Sequence, residues 1–101
     1  MSTGGHRDEI DGKIAGWERD LERLRVALAN APEAVNAKHH AAFVELYRQK
    51  ETVKSRWESI RGVYRPKPEA VKRCEEALAV METAWAAAQP MLTEVLSGSP
   101  S

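Results

Sequence analysis

Four groups of side chains in this 101-residue chain are equipped for chemistry: a run of cations, a histidine pair, one cysteine and a few aromatics. The cations are Arg48, Lys54, Arg56, Arg61, Arg65 and Lys67, joined by Lys50 and interrupted by Glu51 and Glu58. Such a run, with Trp57 and Tyr64 interleaved, has the makeup of a surface that grips the phosphates of nucleic acid or of a membrane and stacks bases on its rings. The competing interpretation is a solvated helix face paired to acidic neighbours, and the sequence favours it. Trp57 and Tyr64 fall on apolar heptad positions, and the chain carries 15 basic against 15 acidic residues, so no bulk field draws it to an anionic polymer.

The other groups offer less. His39 and His40 with Glu45, or with distant His6, are too few for a metal site, because neighbouring residues on a helix point about 100° apart and share no ligand position. No metal or other cofactor is expected. Cys74, the single cysteine, has no internal disulfide partner and reads as a small buried hydrophobe of a reducing compartment, its alternative being a bridge between two copies. Phosphate-cradling loop, nucleophile elbow and paired carboxylates in an apolar setting are all missing from the sequence. The expectation is therefore no catalytic residue, no enzyme activity and no small-molecule substrate.

The elements that carry these residues are helices. Ala, Glu, Lys, Leu and Arg dominate while Ile and Phe are scarce, a composition of helix rather than sheet. Ile10, Ile14, Trp17, Leu21, Leu24, Leu28 and Ala31 alternate steps of four and three, an a/d stripe over three heptads, with Asp8, Glu9 and Asp11 placed for the first turn. Asn30-Ala31-Pro32-Glu33 breaks it, since proline forces its predecessor out of helical geometry but suits a helix start. The second stripe, Phe43, Leu46, Lys50, Val53, Trp57, Ile60 and Tyr64, runs one residue out of phase with the first and extends backward through polar His39 and Asn36. Lys50 is its one polar seam residue, of the kind that fixes register or reaches past the core edge. After Arg65-Pro66-Lys67-Pro68 comes the third: Val71, Cys74, Leu78, Met81, Trp85, Ala88, Leu92 and Val95, with Pro90 on the outer face where it should kink the helix.

The predicted fold is thus all-α, a three-helix antiparallel coiled-coil-like bundle with helices over residues 7–30, 33–64 and 68–96, forming one domain over 7–96 between disordered tails at 1–6 and 97–101. Levelling the helices by their rise per residue puts Trp17, Leu46 or Tyr47, and Trp85 in one core layer. A basic middle segment lies between two mildly acidic ones, the charge order that an antiparallel bundle favours. No apolar run is long enough to span a bilayer, and the amino terminus lacks the apolar stretch of a signal peptide, so the expected location is cytoplasmic.

A first helix starting near residue 10 leaves the far end of the bundle covered by two helices only. That end carries Trp57, Ile60, Tyr64, Val71 and Cys74, an apolar surface of the kind that marks an interaction site. The function expected is non-catalytic protein–protein interaction, by self-association as a homodimer through residues 56–75. The alternative is anion binding, to nucleic acid or a membrane surface, by the basic middle helix.

With the stripes laid out, the chain resembles a group of small bacterial coiled-coil proteins of stress-response type. The matching pieces are Ile14-Ala15-Gly16-Trp17, the stretch Leu21 to Leu28, and Val80-Met81-Glu82-Thr83-Ala84-Trp85. That resemblance implies an interaction or structural role with no assigned chemistry. The opening Arg7-Asp8-Glu9-Ile10-Asp11 is similar to that of the all-helical chorismate mutases, which implies a cationic site built from Arg7, Arg25, Lys38, Arg48 and Gln89.

Overall fold

A computed structural model describes residues 3–97, with side chains from residue 8 onward. The described chain is entirely helix and turn: α1 (Thr3–Ala29), α2 (Glu33–Ile60), α3 (Pro68–Ala87) and α4 (Gln89–Ser97). The all-α character stands, but the described chain has four helices where three are expected, the third segment being two helices instead of one.

Each boundary has a local cause. At the first turn Pro32 is the residue before α2, and its carbonyl accepts from the Val35 and Asn36 amides, each at 3.0 Å. The Asn36 side chain reaches back to donate to the Leu28 carbonyl at 2.9 Å, satisfying one of the acceptors that the end of α1 leaves unpaired. Pro32 therefore makes a full reversal, and α1 and α2 pack along each other.

Helix α2 stops at Ile60, four residues before the expected 64, because Gly62 takes a left-handed backbone with φ 97°. Glycine just past a helix end is the residue that adopts this geometry without a Cβ clash. Tyr64, projected on the heptad stripe, consequently lies in the loop and is 88% exposed. The third segment breaks at Ala88, whose amide is held by the Ala84 and Trp85 carbonyls. Pro90 favours the break: it has no amide proton, and its ring collides with the carbonyl four residues earlier in a continuous helix.

Helix α1 begins at Thr3, not at residue 7, so residues 3–6 are helical where a tail is expected. Asp8, Glu9 and Asp11 accordingly lie beyond the first turn. Residues 1–2 and 98–101 of the expected tails are outside the described residues.

The core divides in two. One cluster joins Ile10, Ile14 and Trp17 of α1 to Val53, Trp57 and Ile60 of α2 and Cys74, Ala77 and Met81 of α3. The other joins Leu21, Leu24 and Leu28 to Leu46 and to Met91, Leu92 and Val95 of α4. Between them stands the seam lysine: Lys50 is 3% exposed, its ammonium 3.7 Å from Glu18, bonded to Glu51 and 4.2 Å from the Tyr47 ring centre. A charge taken from water must be paired to be tolerated, and these three groups supply the partners. The predicted tryptophan layer spreads across this division. Trp17 belongs to the first cluster, Leu46 to the second, and Trp85 packs against both, whereas Tyr47 is on the surface.

Candidate functional site: an open groove between the first and third helices

The far end of the bundle has three-helix cover, because α1 and α2 pack in a register that sets Ile10 and Asp11 beside Trp57, Ile60 and Arg61, further along α2 than expected. Trp57, Ile60 and Cys74 are only 6%, 8% and 2% exposed, packed with Ile10 and Ile14. The expectation of a bare two-helix end is therefore corrected. What remains open is narrower and deeper. Helices α1 and α3 each pack on α2, but their own backbones do not approach closely, while α4 does turn in against α1. In the half served by α3 this leaves a groove.

The groove is a cavity of about 470 Å³. Trp57 and Ile60 of α2 form its floor; Ile10 and Lys13 of α1 face Val71, Cys74, Leu78 and Ala79 of α3; Val63, Tyr64 and Pro66 of the α2–α3 loop close one end. All five residues expected at an interaction surface, Trp57, Ile60, Tyr64, Val71 and Cys74, line this one cavity. Its mouth carries Glu9, Glu75 and Glu82. Lys13 crosses from α1 to α3 to donate to Glu82 at 2.5 Å, which raises the lysine's pKa above its ordinary value. A volume in the hundreds of cubic ångströms with mostly apolar walls is the size and character of a ligand- or side-chain-binding cleft.

The back of the groove is fixed by a second polar set. Trp57 Nε1 donates to Asp11 Oδ1 at 2.7 Å, and Arg61 donates to the other carboxylate oxygen at 3.0 Å. The Trp57 hydrogen bond, then that of Arg61, holds the Asp11 carboxyl below its usual pKa. A buried indole with its N–H satisfied is an immobile floor, as a binding cleft requires.

Cys74 is inside, and burial, assisted by the neighbouring Glu75 carboxylate, pushes its thiol above its ordinary pKa. A thiol that stays protonated is a poor nucleophile, so it acts here as apolar wall.

The basic candidates scatter over the outer surface. Arg48 bonds Glu45 at 2.5 Å, Lys54 bonds Glu18 at 2.8 Å and Arg61 bonds Asp11. Arg65 lies over the Tyr64 ring, 5.5 Å from its centre. Arg56 lines shallow depressions that also contain Glu51 and Glu76, and Lys67 stands exposed on the loop. Three of the six are thus matched to carboxylates. Of the residues implied by the mutase resemblance, Arg25 pairs with Glu22, Lys38 lies 3.9 Å from Glu94 and Gln89 bonds the Trp85 carbonyl, so each is engaged by a different neighbour. The Arg7 side chain lies outside the described ones.

His39 is buried, with Nε2 3.4 Å from a Glu94 oxygen and no hydrogen bond of its own. His40 is exposed, and no grouping among the described residues has the makeup of a metal site. The position of His6 is outside the described side chains.

Sequence reasoning missed Leu78, Lys13, Glu75 and Glu82 as parts of the site. Leu78 was legible as a stripe residue; the three charged ones carry no signal until α1 and α3 are known to flank a gap. The chain matches no protein-family model, and neither a curated protein nor a solved structure is significantly similar to it. No described helix is long and apolar enough to cross a membrane.

Proposed function

We propose that the protein is a non-catalytic helical interaction module that acts by self-association through the groove between α1 and α3. The observation that carries this reading is the convergence of Trp57, Ile60, Tyr64, Val71 and Cys74 on one open apolar cavity. A helical bundle normally closes such a seam with its own side chains, as α4 does against α1 in the other half. An apolar cleft left open beside exposed Val63 and Tyr64 gains free energy when another chain excludes its water. The floor is already rigid, so little ordering opposes that gain.

Two further features support the non-catalytic part of this reading. Cys74 is protonated and walled in, and the acids at the mouth are at the surface, not held as a close pair in an apolar setting. Self-association is tested by sedimentation equilibrium of the wild type and of Val71→Asp, a half-buried groove residue. The expected result is concentration-dependent mass for the wild type and monomer for the variant, with unchanged helical circular dichroism. A wild type that stays monomeric at millimolar concentration would dismiss the reading.

A further inference from the structure

The segment beside the groove has the properties of the groove's own occupant. Residues 61–67 form the α2–α3 loop, and it holds out two apolar side chains: Val63, 43% exposed, and Tyr64, 88% exposed. Arg65 stacks over the tyrosine ring, and Lys67 follows, exposed. Tyrosine and arginine are the side chains that concentrate binding energy at protein interfaces, and tyrosine does so with few rotatable bonds to freeze. The backbone after Tyr64 is constrained by Pro66 and Pro68, whose rings fix φ. A loop so restricted loses little freedom when it docks.

Its charge is opposite to that of the groove mouth. The loop brings Arg65 and Lys67; the mouth brings Glu75, with Glu9 and the Lys13–Glu82 pair beside it. Loop and groove also adjoin, since Tyr64 and Pro66 line the cavity's end. A patch that holds both a knob and a hole of opposite charge is self-complementary about a two-fold axis.

Resting on the self-association proposed above, we infer that two copies pair by reciprocal insertion: Tyr64 of each enters the groove of the other, and Lys67 of each meets Glu75 of the other. The occupant of the groove is a second copy of this chain, and the symmetry is isologous. Each dimer then contains the knob-in-groove contact twice, so a single substitution is felt twice.

Sedimentation equilibrium on four samples tests this. The wild type should dimerise. Tyr64→Ala should weaken dimerisation by about tenfold or more, as loss of an interface anchor does. Lys67→Glu alone and Glu75→Lys alone should each weaken it, because each homodimer sets like charges together twice. An equimolar mixture of these two variants should recover it, since both contacts in the mixed dimer again join opposite charges. All three positions are exposed, so at concentrations low enough to keep every sample monomeric the variants should keep the wild-type melting temperature. A wild type that dimerises with the same constant as Tyr64→Ala, or a mixture no tighter than its components, would overturn reciprocal insertion while leaving self-association intact. A monomeric wild type would overturn both.

Discussion

The two halves of this bundle use the same heptad grammar and end in different states. In one, Leu21, Leu24 and Leu28 meet Leu46 and the α4 residues Met91, Leu92 and Val95, and the seam between the first and last helices is shut. In the other, Ile10, Ile14 and Trp17 meet α2 and α3, yet a cavity of about 470 Å³ stands between α1 and α3. The difference is not one of hydrophobicity. It follows from the break at Ala88, which lets α4 take a direction of its own toward α1 while α3 stays on α2. Both halves have a buried core, and one of them also keeps an open groove.

The largest expected effect falls in the shut half. Leu24 is fully buried, so Leu24→Ala should lower unfolding free energy by about 2–5 kcal/mol, read from the urea midpoint. Val71→Ala, at the half-buried groove wall, should cost about 1 kcal/mol or less and act mainly on association. Equal costs at the two sites would erase the distinction between the halves.

Acid should erode the polar set that joins α1 to α2 across both halves. Asp11, bonded by Trp57 and Arg61, and Glu18, bonded by Lys54, have pKa values lowered from 3.8 and 4.5. In the folded chain they therefore hold their charge to lower pH, and the unfolded chain binds more protons over that range, so stability rises with pH there. The contribution should be complete above the unfolded values and vanish as pH falls through the folded ones. Asp11→Asn should flatten the urea midpoint's dependence on pH below about 4 and leave it unchanged at neutrality apart from a constant offset. An unaltered acid profile would mean that the Asp11 contacts add nothing.

A small stability change is expected from Pro90→Ala. Proline stands in the first turn of α4, where a missing amide proton costs little, so stability should move by about 1 kcal/mol or less. The break should hold without the proline, because straightening would strip Met91, Leu92 and Val95 from α1, so helical circular dichroism and self-association should stay close to wild type. A marked gain in helical signal would mean that the proline alone, and not α4 packing, keeps the break.

Most of the fold was legible, and particular residues show why. The α1 stripe from Ile10 to Leu28 is buried position by position, since a/d spacing is a direct record of which side meets a neighbour. Pro32 gave its break because proline acts through its own covalent geometry, whereas Pro90 was read as a kink in one helix and is a break between two. Gly62 was passed over: the heptad count ran on to Tyr64, although glycine followed by Pro66 is a stop signal. Periodicity records burial only while a helix lasts, so the most exposed aromatic was read as core. The start of α1 was set late because residues 3–6 carry no apolar stripe. The mistaken two-helix end came from the level of α1 against α2, since rise per residue alone does not reveal that Asp11 meets Trp57 and Arg61. Trp57, Ile60, Tyr64, Val71 and Cys74 do line one cavity. Their arrangement as a groove was not legible, because a gap between α1 and α3 depends on the angle at Ala88, which no residue type encodes alone.

The central claim is that the α1–α3 half, and not the α1–α4 half, meets a second copy. The direct measurement is a two-dimensional amide and indole NMR spectrum followed from micromolar to millimolar concentration. Shifts should move for Val63, Tyr64, Val71, Glu75 and Leu78 and for the Trp57 indole, while Leu21, Leu24 and Leu28 stay still. Signals that do not move with concentration, or that move along the α1–α4 seam instead, would contradict the account.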